Sequence, residues 1–271
     1  MGSGAAATTS VAAAIANAMQ AIRNRIAIFY RLSNSGPLRH AAGPRATNRE
    51  RGMIVQIYEI ATPKEALAVV QAGVDHAGVL VGQGDFPREL CCSQARAIFA
   101  ALPAGARKLA LSLSGDPQEL ERVARETMPD ILHIGAALER ISPEHTVAIK
   151  QAFPHIEVMR SIPVTGIESI GWAQGYDGIA DWLLLDSHRP GDIQIGAQGF
   201  THDWSVSARI RRAVRAKVIL AGGLGPANVE RAIAQVAPFG VDSKTRTDRD
   251  DGKGKDLERV RAFVAAARRA P

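Results

Sequence analysis

From Met53 onward, short apolar or β-branched runs alternate with stretches whose apolar positions recur at helical spacing. That alternation predicts βα units arranged around a parallel sheet. Eight runs read as strands: 53–58 "MIVQIY", 75–81 "DHAGVLV", 107–113 "RKLALSL", 130–134 "DILHI", 156–160 "IEVMR", 181–186 "DWLLLD", 217–221 "KVILA" and 239–242 "FGVD". Among the intervening stretches, "TPKEALAVVQAG" predicts a helix capped by Thr62 with Pro63 in its first turn. "DPQELERVARET" and "GPANVERAIAQV" show the same start chemistry and apolar spacing. Eight such units over about 220 residues match the size of an α/β (β/α)8 TIM barrel, parallel and eight-stranded. The structural competitor, an open doubly wound sheet, requires a glycine-rich turn after its first strand, and "YEIATPKE" has none. The barrel carries a positional consequence: chemistry belongs at the C-terminal ends of the strands.

Composition adds little to this picture until charge is located along the chain. The 271 residues are 46% hydrophobic, ample for a globular core. The net charge of +6 arises in residues 1–52, which hold seven arginines and one acid, whereas the remainder is balanced. A neutral body argues against nucleic acid or another polyanion as partner. Residues 1–52 are expected to be a basic, low-complexity N-terminal extension preceding a barrel domain over 53–271. The extension resembles an organelle transit peptide, or else upstream sequence with initiation at Met53. "SNSGPLRHAAGPRATNRERG" within it has linker composition. No run of about 18 apolar residues predicts a membrane span, so a cytoplasmic location is expected unless the extension targets an organelle. The adjacent Cys91 and Cys92 suit neither a structural disulfide nor a metal site, and read as core thiols.

The candidate chemistry lies at strand ends. In "VILAGGLGPANVERAI" a strand enters Gly222 and Gly223 and then a helix start, a turn whose bare N–H groups can hold a phosphate. The eighth strand runs into "GVDSKTRTD", where Thr245 and Arg246 can serve the same anion. Asp186 ends an apolar sixth strand, a setting that suits a general acid. Gly196 and Gly199 punctuate a loop long enough to fold over a ligand, ending at Asp203 as a helix cap. Arg88, after strand two, offers a planar fork for a carboxylate. His133, His188 and Tyr58 are the other titratable candidates near strand ends. No His, Cys or carboxylate spacing forms a metal motif, and no cofactor is expected.

Taken in order, these pieces resemble the phosphoribosylanthranilate isomerase family of the tryptophan pathway, over essentially all of 53–271. "GAQGFTHDW" is similar to the family's Gly-Gly-Thr-Gly-x-x-x-Asp-Trp, "LLLDS" to its Leu-Leu-Asp-Ser, and "ILAGGLGPANVERAI" to its Leu-Ala-Gly-Gly-Leu-x-x-x-Asn-Val. The resemblance implies an Amadori rearrangement of a phosphorylated sugar derivative, in which an acid opens the ribose ring and a base removes the proton from C2. It implies Asp186 as the acid, Arg88 on the substrate carboxylate, and Gly199, Gly222, Gly223, Thr245 and Arg246 around the substrate and its phosphate. The family's base is a cysteine ending strand one, and Tyr58 stands in that place. A phenol with a pKa near 10 is mostly protonated at neutral pH, so His133 or Glu59 is the alternative base. His133 itself replaces a family glutamine, and Lys244 to Arg246 replace a Ser-Ser-Gly turn. A phosphorylated small molecule is thus the expected partner, with the protein a monomer or homodimer. Another phosphosugar isomerase, epimerase or lyase, or a non-catalytic phosphosugar-binding barrel, are the other readings.

Overall fold

The computed structural model describes residues 52–188 and 201–270. The expectations for residues 1–51 and for Gly196 and Gly199 lie outside the described residues. Within them eight strands and eight α-helices alternate: β1 (Ile54–Ile57), α1 (Pro63–Gln71), β2 (His76–Leu80), α2 (Cys92–Ala100), β3 (Arg107–Ser112), α3 (Pro117–Thr127), β4 (Ile131–Ile134), α4 (Pro143–Ala152), β5 (Glu157–Pro163), α5 (Ser169–Tyr176), β6 (Trp182–Asp186), α6 (Trp204–Ala213), β7 (Lys217–Leu220), α7 (Val229–Val236), β8 (Gly240–Ser243) and α8 (Leu257–Arg269). The strands close into a barrel in sequence order. Closure is made by the parallel pairing of β1 with β8, in which Gln56 lies opposite Asp242.

Both faces of each strand are buried, but against different neighbours. Val55, Ile57, Val79, Ala110, Leu132, Val158, Leu183, Leu185, Val218 and Val241 pack outward into the layer shared with the helices. Leu109, Ile131, Met159, Trp182, Leu184 and Ile219 fill the lumen with Tyr58. The period-2 alternation of a strand produces this division. Each fully buried aliphatic side chain contributes about 1.5–3 kcal/mol, so the outward faces bind the helices to the barrel.

Local chemistry sets the helix starts. Thr62 Oγ1 accepts from Glu65 N at 3.1 Å, with Pro63 at the first position. Asp116 and Asp203 accept from Gln118 N and Ser205 N in the same way. Asn228 behaves differently from a cap: its Oδ1 accepts from Gly225 N and its Nδ2 donates to Gly223 O, so it braces the turn after β7. The helix consequently begins at Val229, later than its sequence pattern suggests. Strand β5 extends past the expected 160 to Pro163, because Ser161 to Pro163 pair with Leu184 to Asp186 of β6. Of the two thiols, Cys92 is buried as expected; Cys91 is exposed, because it precedes the first turn of α2.

Candidate active site

Two cavities open at the C-terminal ends of the strands. The smaller is lined by Asp186, Gly222 to Leu224 and Asp242 to Arg246. The larger, about 170 Å³, has an apolar wall of Leu80, Phe86, Pro87, Leu111 and Leu113, with Tyr58, Glu59, His133 and Ser161 also on its lining. Asp186, Asp242 and Lys244 line both.

The glycine turn closes the small cavity. Gly222 and Gly223 have φ of 81° and 60°, a region that disfavours residues with a Cβ. A Cβ on Gly222 would lie 2.8 Å from His202 Nδ1 and 3.2 Å from Asp186 Oδ1. Ser243 Oγ donates to Leu224 O at 2.8 Å, joining the end of β8 to this turn. Thr245 and Arg246 belong to a 3-10 turn, Thr245–Thr247, at the cavity edge. The candidate phosphate residues therefore share one small space, with Gly199 outside the described residues.

Asp186 ends β6 as its position predicts, and Ser187 N donates to its Oδ1 at 2.7 Å. Asp242 lies one residue before the C-terminal end of β8, near the end of β6 where Asp186 stands. It accepts from Gln56 Nε2 at 3.2 Å, and Gln56 Oε1 in turn meets His76 Nδ1 at 3.1 Å. Burial, and next the nearby charge of Asp186, push the Asp242 carboxyl well above its ordinary range.

Opposite lies a chain of polar groups already bonded to one another. The Tyr58 ring reaches into the lumen over Gly78, where any Cβ would collide with it. Its hydroxyl is hydrogen bonded to His133 Nδ1, and His133 Nε2 meets Ser161 Oγ at 2.7 Å. Burial and then the Arg160 charge push the His133 imidazole down to about 3, so it is neutral. Burial, followed by the Asp242 and Asp186 charges, holds the Tyr58 phenol well above 10. Arg160, itself fully buried, donates to the carbonyls of Ile134 and Ala136 at 2.8 and 2.7 Å and so anchors the chain leaving β4.

Arg88 does not line either cavity. Its guanidinium lies 3.3 Å from Glu59 Oε2 and 3.1 Å from Asp248 Oδ2, and donates to Glu59 O at 2.9 Å. Lys244 approaches the other oxygen of Glu59 at 3.2 Å. Glu59 and Arg88 both have positive φ, 57° and 65°, a strain that persists only where surrounding contacts enforce it. His188 follows β6 without joining either cavity lining. Among the described residues no group of three or more His, Cys, Asp or Glu is arranged to hold a metal, and no helix is long and apolar enough to cross a membrane.

Comparison with known proteins agrees with the geometry. Residues 119–266 match the family model described as N-(5'-phosphoribosyl)anthranilate (PRA) isomerase. A relative of that name from Methanocella arvoryzae is 34% identical over 214 residues, covering 79% of this chain and 97% of its own. Another from Haloferax volcanii is 32% identical over 222 residues, covering 80% and 93%. The solved phosphoribosyl anthranilate isomerase from Thermus thermophilus superposes with a TM-score of 0.66 at 27% identity, covering 79% of this chain and 98% of that one. The alternating barrel, its strand-end cavities and these similarities together establish that the chain belongs to the phosphoribosylanthranilate isomerase family.

Proposed function

We propose that the protein catalyses the aldose–ketose isomerization of N-(5'-phosphoribosyl)anthranilate, a step of tryptophan biosynthesis, working in the cytoplasm by general acid–base catalysis. The observation that carries this reading is the meeting of a small, glycine-floored cavity with a larger one of apolar wall, joined along Asp186, Asp242 and Lys244. Such a shape suits a molecule with a phosphate at one end, an aryl group at the other and a sugar between. Gly222, Gly223, Thr245 and Arg246 hold the phosphate. Phe86, Leu80, Leu111 and Leu113 face the aryl ring. Its carboxylate meets Lys244, whose ammonium it shares with Glu59. Asp186 protonates the ring oxygen as the furanose opens. Tyr58 and His133, hydrogen bonded below, form the floor on which the open sugar lies.

The test is fluorescence-monitored turnover of freshly generated phosphoribosylanthranilate by the purified protein. Loss of substrate fluorescence at a rate proportional to enzyme concentration is expected. A rate indistinguishable from spontaneous decay would overturn the assignment.

A further inference from the structure

The isomerization requires one group to give a proton and another to take one, and the groups on the lumen floor are poorly suited to the second task. The Tyr58 hydroxyl is engaged with His133, whose second nitrogen is engaged with Ser161. Glu59 is held between Arg88 and Lys244. Asp242 differs in position: with Asp186 and Lys244 it borders the phosphate cup and the aryl cavity alike. A sugar spanning the two must pass these three side chains, and its C1 and C2 lie between the phosphate and the aryl amine.

We propose that Asp242 is a catalytic residue, the second member of a carboxyl pair with Asp186 that shares one proton and carries both proton transfers. This rests on the isomerase reading above. Asp186 gives its proton to the ring oxygen as the C1–O bond breaks and the nitrogen lone pair forms C1=N. Asp242 then takes the proton from C2; the C–H pair forms C1=C2, and the C1=N pair returns to nitrogen. The pair again holds one proton, which goes to C1 while the C2 hydroxyl proton returns to the pair, leaving the ketone. No oxidant or further reactant is needed.

The surroundings suit such a pair. Asp242 faces Asp186 from β6, Gln56, Tyr58 and Glu59 from β1 and the residues after it, Lys244 at the end of β8, and Lys255 before α8. Burial and the neighbouring charge of Asp186 push the Asp242 carboxyl up, which opposes placing a second full charge beside Asp186.

The experiment compares Asp242→Asn and Asp242→Glu with the unaltered chain, measuring kcat and KM against pH and thermal unfolding by circular dichroism. Asn can still accept from Gln56 Nε2. Expected is a loss in kcat of about 10²–10⁴-fold for Asp242→Asn, the span typical of a positioned acid or base, with KM changed by less than about fivefold. Asp242→Glu is expected to recover part of kcat. The unaltered chain gives a bell-shaped kcat–pH profile, whatever the folding of the variants. A folded Asp242→Asn variant within tenfold of parental kcat, or a profile without two limbs, overturns the pair. Absence of turnover by the unaltered chain removes the isomerase reading and the pair with it.

Discussion

The two sides of the barrel mouth are built on opposite principles. On the β1–β5 side, polar groups are bonded to one another: Tyr58 to His133, His133 to Ser161 and Glu59 to Arg88, with Lys244 reaching Glu59 from the end of β8. On the β6–β8 side, two carboxyls share a cavity wall with backbone turns that only glycine enters easily. Mutual bonding stabilises buried polar groups, whereas bringing like charges together opposes folding and is the usual mark of a reactive site. In the proposed mechanism the proton transfers belong to the β6–β8 side, with the opposite side as its floor and rim.

Asp186→Asn strikes this contrast hardest. Its kcat should fall by about 10²–10⁴-fold with substrate still bound, and steady-state kinetics that retained a tenth of parental kcat would dissolve the distinction between the two sides. Gly222→Ala places a methyl 2.8 Å from His202 Nδ1 at a φ of 81°. A left-handed alanine costs about 1–2 kcal/mol before any collision, so KM for the phosphorylated substrate should rise about tenfold or more. An unchanged KM would show that the turn does not hold the anion.

The floor is tested through stability. His133 is held at about 3 in the folded chain, against about 6.5 when unfolded. Between those values the unfolded chain binds the extra proton, so this contribution is complete above pH 6.5 and is lost as pH falls toward 3. Replacing His133 by Gln should therefore flatten the decline of urea stability between pH 4 and 6 by about 1.4 kcal/mol per pH unit. His76, also held at about 3, and His202, at about 4, continue to contribute a slope of the same sign. An unaltered slope would mean that His133 is not buried in its neutral form. The smallest effect is expected for Glu59→Gln, which loosens the hold on Arg88 and Lys244. KM should fall about two- to fivefold, because the substrate carboxylate then no longer shares Lys244 with a second carboxylate, whereas a higher KM would make Glu59 part of the binding surface.

Much of this molecule can be read along the chain. Each of the eight strands lies within about three residues of its expected place, because a strand's apolar alternation and a helix's cap are written in neighbouring residues. Asp186, Gly222 and Gly223 were legible for a related reason: they stand where a strand stops. Asp242 in "GVDSKTRTD" lies inside its strand rather than at its end, so its approach to Asp186 was not legible. Arg88 was visible as a cation after β2, but not its commitment to Glu59 and Asp248, the latter 160 residues away. His202 lies in "GAQGFTHDW", yet its approach to Gly222, with its Nε2 at Ser207 Oγ of α6, was decided by the fold.

The order of elements, the barrel class and the family were thus determined by the chain itself, since periodicity, capping and short motifs depend on residues close in sequence. Which polar groups meet was decided only when β1 closed on β8 and the lumen filled. Tyr58 and His133 are 75 positions apart and Gln56 and Asp242 are 186 apart. A hydrogen bond over such a separation depends on register and side-chain direction, neither of which any local stretch encodes.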